Sequence, residues 1–169
     1  MDGSTIDLGR RGFLTGRRKS LPDSIRPPWS REASIAAACT GCGACVPACP
    51  QHIITLDRDS RPALAFETAE CSFCGACAQA CPEPVFDLAI AAFPHGVAIG
   101  TQCFAQRGIV CQSCGDACPE SAIRFRPRLG GPALPEIAAD RCSGCGACIA
   151  ACPASAMSAT VRSMEAAHV

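Results

Sequence analysis

One cysteine spelling recurs along this chain, and it constrains the fold more than anything else in the sequence. Residues 39–50 read CTGCGACVPACP, residues 71–82 read CSFCGACAQACP and residues 142–153 read CSGCGACIAACP, each of them C-x2-C-x2-C-x3-C-P. A fourth copy is altered: Cys103, seven residues, then CQSCGDACP at 111–119. The four runs use all 16 cysteines and leave none over. Any fold for this chain must gather its thiols in fours.

The spacing selects among the chemistries open to a cysteine-rich chain. A cubane cluster has four irons, each needing one thiolate. Cysteines at every third residue reach three irons from one tight loop. The fourth iron faces away and takes a more distant cysteine; in two-cluster ferredoxins that ligand comes from the other run. Zinc sites use pairs of cysteines or mix in histidine, so a third cysteine at the same spacing has no role there. A disulfide scaffold gives no reason to repeat one ligand spacing, and no secretory apolar segment is present. All 16 cysteines are therefore read as ligands of four [4Fe-4S] clusters: Cys39, Cys42, Cys45, Cys49, Cys71, Cys74, Cys77, Cys81, Cys103, Cys111, Cys114, Cys118, Cys142, Cys145, Cys148 and Cys152. Gly43, Gly75 and Gly146 sit where the loop must wrap the inorganic core. A proline follows the last cysteine of every run and fixes the chain as it leaves.

With seven Phe, one Trp and no Tyr, large side chains alone make a thin core, so clusters must take its place. The expected fold class is α+β: a tandem of small ferredoxin-like modules, each with short helices and strand pairs around two clusters. The expected boundaries are a basic arm at 1–31, modules at 32–90 and 91–162, and a tail at 163–169. Two hairpins are predicted, IITL returning as PALAF after a turn at Asp57–Ser60, and AIRF returning as PALPEI near Gly130 and Gly131. Periodicity leaves VFDLAIAAFPHGVAIG, residues 85–100, open between a strand pair and a linker. Ligand exchange within each module puts Cys81 with Cys39, Cys42 and Cys45, and Cys49 with Cys71, Cys74 and Cys77. It likewise puts Cys152 with Cys103, Cys111 and Cys114, and Cys118 with Cys142, Cys145 and Cys148. Two other arrangements stay open: each run closing on its own cluster, or the second run pairing with the third. The loop between Cys103 and Cys111 is expected to expose its cluster or change its hydrogen bonding, and so to shift its potential.

His52, His95 and His168 are scattered singly and read as surface or turn residues. There is no Walker loop, no G-x-G-x-x-G and no nucleophile–base spacing, so an enzyme is not expected. No run of 18 apolar residues suggests a membrane span, and balanced charge (15 basic, 15 acidic) argues against nucleic acid as a partner. The balance hides an asymmetry: residues 1–31 carry +4 and residues 32–169 carry −4. Each oxidised cluster with its thiolates adds about two negative charges, so the loaded body would carry roughly twelve.

The arm contains Arg10-Arg11-Gly12-Phe13-Leu14, which is similar to a twin-arginine export consensus, but charged Arg17-Arg18-Lys19 replaces the apolar segment export requires. A cytoplasmic location is expected. The RRGFLTGR start, the following IRPPWS, the four runs with a displaced ligand in the third, CSFCGACAQACPE at 71–83 and IRFRP at 123–127 together resemble the NapF family. These are ferredoxin-type proteins encoded with periplasmic nitrate reductases, and the likeness spans essentially the whole chain. The resemblance implies a cytoplasmic polyferredoxin that interacts with the catalytic subunit of periplasmic nitrate reductase and assists its maturation before twin-arginine export. The alternative is an electron carrier in nitrate respiration. Arg10, Arg11, Phe13, Ile25 and Trp29 are candidate contacts to that partner, with packing of Trp29 onto the first module the competing reading.

Overall fold

A computed structural model describes residues 24–161. The elements are short. Helix α1, Glu32–Ala38, is followed by four single-turn helices: α2 (Cys45–Ala48), α3 (Ala76–Gln79), α4 (Ser113–Asp116) and α5 (Ala147–Ala150). The strands are β1 (Ile54–Leu56), β2 (Pro62–Leu64), β3 (His95–Ile99), β4 (Ile123–Arg128), β5 (Gly131–Ile137) and β6 (Met157–Val161). They form three two-stranded antiparallel sheets, β1–β2, β3–β6 and β4–β5.

The cysteine runs dictate the single-turn helices. Each helix holds the third cysteine of its run, and the fourth lies four residues later, at or beyond the helix end. The next residue is proline, which lacks an N–H and pushes the residue before it out of the helical region. Cys49, before Pro50, accordingly ends α2 in an extended conformation (φ −79°, ψ 113°).

Both expected hairpins form. At the β1–β2 turn the Asp57 carboxylate accepts hydrogen bonds from the N–H groups of Asp59 and Arg61, at 2.9 and 3.0 Å. The 85–100 stretch resolves differently from either expectation. Only its second half is a strand, and that strand pairs with β6, from His95 opposite Val161 to Ile99 opposite Met157. Its first half has another partner. Asp87 N–H donates to the Trp29 carbonyl and Trp29 N–H donates to the Ala92 carbonyl, both at 2.8 Å.

Residues 24–31 are likewise built into the body, although the basic arm was expected to reach residue 31. Leu64 N–H donates to the Ile25 carbonyl. The Arg26 guanidinium bonds Glu32 at 2.6 Å, Asp57 at 2.9 Å and the Pro62 carbonyl at 2.9 Å, joining this segment to α1 and the β1–β2 hairpin. Trp29 packs edge-on against Phe73. Residues 1–23, with Arg10, Arg11 and Phe13, and residues 162–169 lie outside the described residues.

The core is in two parts. Ile53, Ile54, Phe66 and Phe93 pack with Cys45, Cys49 and Cys77, and Ile123 and Met157 pack with Cys148. Ile149 touches both parts and joins them.

Candidate metal centres

The 16 thiols gather at four cavities. Site 1 is lined by Cys39, Cys42, Cys45 and Cys81, site 2 by Cys49, Cys71, Cys74 and Cys77. Site 3 is lined by Cys103, Cys111, Cys114 and Cys152, site 4 by Cys118, Cys142, Cys145 and Cys148. Counting the space open to solvent, the cavities are alike in size: ≈ 370, 320, 330 and 310 Å³ for sites 1 to 4. Each takes three cysteines from one run and one from the partner run of its module. The helices explain the exchange. Each carries the third cysteine toward one cavity and, a turn further along the same axis, delivers the fourth to the next.

Among the described residues no group of three or more His, Cys, Asp or Glu side chains converges on a point fit for a single ion. The thiols instead stand around a space, as one thiolate per iron of a cubane requires. Polar detail fits the same group. The Ser143 hydroxyl, on the wall of site 4, is buried without a partner among the described residues. An unpaired buried hydroxyl costs about 1–3 kcal/mol, and a cluster sulfur would give it an acceptor. The Ala122 N–H donates to Cys118 Sγ at 3.3 Å and the Ala156 N–H to Cys152 Sγ at 3.2 Å, bonds that favour thiolate over thiol.

Burial opposes that ionisation. It pushes the Cys71, Cys77 and Cys114 thiols up to about 11 and Cys148 up to about 12, with neighbouring thiols adding to the rise. Cys45 is raised for the same reason. Left without metal, these groups hold protons at neutral pH, so coordination must displace them.

Site 3 departs from the others in a way that sequence reading missed. In the other three runs glycine follows the second cysteine; Gly75 and Gly146 cap their helices with left-handed φ of 74° and 86°. The third run has Gln112 there, with φ −132°. The loop closes through Ile109 N–H to the Phe104 carbonyl at 2.9 Å and leaves Ile109 and Val110 53% and 78% exposed. Ser113 Oγ lies 3.7 Å from Cys111 Sγ.

His95, read as a surface or turn residue, is buried at 2% exposure. Its Nε2–H donates to the Gly144 carbonyl at 2.9 Å, on the wall of site 4, and its ring lies 4.5 Å from that of Phe93. Its placement by β3–β6 pairing gave no local signal. His52 remains a turn residue, with φ 53°. Ile25 packs on the first core, so two of the five candidate partner contacts, Ile25 and Trp29, serve the body.

Comparison with known proteins gives the family. A family model described as a 4Fe-4S dicluster domain matches residues 38–85 and again 108–156. The second match begins after Cys103, the displaced ligand. The ferredoxin-type protein NapF of Escherichia coli K12 is 44% identical over 156 residues, covering 91% of this chain and 95% of that protein. NapF of Haemophilus influenzae is 41% identical over 163 residues, covering 89% and 93%. The methylamine utilization ferredoxin-type protein MauM of Methylophilus methylotrophus is 30% identical, over 86% of this chain and 73% of that protein. Among the described residues no helix is long and apolar enough to cross a membrane.

Proposed function

This chain belongs to the NapF family of ferredoxin-type iron–sulfur proteins, and on that premise we propose that it is a cytoplasmic polyferredoxin with four [4Fe-4S] clusters that assists maturation of the catalytic subunit of periplasmic nitrate reductase. The observation that carries the cluster reading is the sorting of 16 thiols into four similar cavities, three plus one. The likeness to NapF over nine-tenths of the chain supports the client. The proposed architecture is α+β, with modules at 32–90 and 91–162 and residues 24–31 strapped to the first. The acting part of the arm then shortens to residues 1–23.

Bound clusters supply one-electron chemistry. The chain's own residues do the rest. Thiolates would hold the irons, Ser143 would offer sulfur a hydrogen bond as the Ala122 and Ala156 amides do to cysteine sulfur, and Leu56, Val85 and Phe86 form part of the apolar wall of site 1. Such a protein offers electrons to a client and does no bond-making chemistry of its own, so it is read as an accessory protein and not an enzyme.

The test is anaerobic binding of the loaded protein to two forms of the nitrate reductase subunit, the cluster-free precursor and the mature enzyme. Preference for the precursor, lost on deleting residues 1–23, is expected. Equal binding to both, without dependence on the arm, would instead assign the electron-carrier role.

A further inference from the structure

Sites 1 to 4 follow the chain in number but not in space. Within each module two helices link the sites: α2 and α3 hold thiols of sites 1 and 2, and α4 and α5 hold thiols of sites 3 and 4. The modules themselves meet at sites 2 and 4. The Cys71 N–H, at site 2, donates to the carbonyl of Cys145, at site 4, over 2.8 Å. The surrounding contacts hold that bond. Phe66 of the first module lies against Gly146 so closely that an added Cβ would stand 2.2 Å from its ring. His95 fixes the neighbouring carbonyl of Gly144, and Ile149 belongs to both cores.

We propose that the Cys71 N–H···O=C Cys145 hydrogen bond is an electron-transfer junction between the modules, which makes the sites one line in the order 1–2–4–3. This rests on the cluster reading above. Electronic coupling falls steeply with distance and passes through hydrogen bonds better than across gaps. Here one hydrogen bond links a ligand of one site to a ligand of the next. The step is a single-electron exchange: one side is oxidised and the other reduced by one electron, no bond forms or breaks, and no proton moves. Sites 1 and 3 become the ends. The exposed Ile109 and Val110 then lie beside one terminus, on the loop between two ligands of site 3.

The test compares two double variants of the full chain, loaded anaerobically and reduced with dithionite. Cys42→Ala with Cys111→Ala empties sites 1 and 3 and leaves sites 2 and 4. Cys74→Ala with Cys148→Ala does the reverse. Both should retain about eight iron per chain. The first is expected to give a spin–spin broadened electron paramagnetic resonance spectrum, and the second a simple sum of unbroadened signals. Unbroadened signals from the first variant at full iron content would overturn the junction. Should either variant fail to load, hydrogen exchange on the unaltered loaded protein decides. A Cys71 amide protected from exchange supports the bond, and one exchanging at the rate of an unstructured peptide overturns it. An unaltered chain that binds no iron would overturn the cluster reading itself, and iron analysis separates that outcome from loss of the junction.

Discussion

Arg26 shows how much a single side chain contributes where the hydrophobic core is thin. It is 13% exposed and its partner Asp57 18%, so the pair is screened less than a surface ion pair. Arg26→Ala would leave Asp57 without its charged partner and the Pro62 carbonyl without a donor. A loss of about 1–3 kcal/mol is expected, read as a lower thermal midpoint of the loaded protein. Ser143 makes a different prediction. If its hydroxyl donates to cluster sulfur, Ser143→Ala removes a bond that favours the reduced, more negative state. The potential of site 4 should then fall by on the order of tens of millivolts in an anaerobic redox titration, with the iron count unchanged. The cysteines were legible one by one because ligand spacing is local. Arg26 and His95 were not, because their partners lie 31 and 49 residues away in sequence.

Among the elements, the single-turn helices matter most because each serves two sites. Cys81 follows α3 yet lines site 1, with Cys39, Cys42 and Cys45. Cys81→Ala should therefore release about four irons from a site whose own run is intact, and leave site 2 loaded; iron analysis with optical spectra checks this. The raised thiols in these helices, and Cys71 ahead of α3, give a pH dependence. A proton competes with iron for each sulfur, and with Cys71, Cys77 and Cys114 lifted to about 11 and Cys148 to about 12, it competes strongly. Cluster retention should weaken steadily as pH falls from the alkaline side, followed as loss of visible charge-transfer absorption. Turn residues announced the β1–β2 and β4–β5 hairpins in the sequence. The β3–β6 pair was not announced, since β6 lies far downstream and periodicity says nothing about which strand a strand will meet.

At the scale of the whole molecule, clusters stand where a larger protein would have apolar side chains. Several of the cysteines proposed as ligands, Cys45, Cys49, Cys77 and Cys148, are themselves core residues. Chelating the iron should therefore unfold the chain, not merely bleach it, seen as loss of near-ultraviolet and far-ultraviolet circular dichroism together. Sequence alone conveyed the number of thiol sets and the tandem plan. It did not convey that the modules meet at sites 2 and 4, because that contact depends on Phe66, His95 and Ile149 meeting across the two halves. The measurement that bears most directly on this account is iron and acid-labile sulfide in anaerobically purified protein. Four cubanes predict about sixteen of each per chain. Zinc in place of iron, or iron and sulfide stopping at about eight, would contradict it.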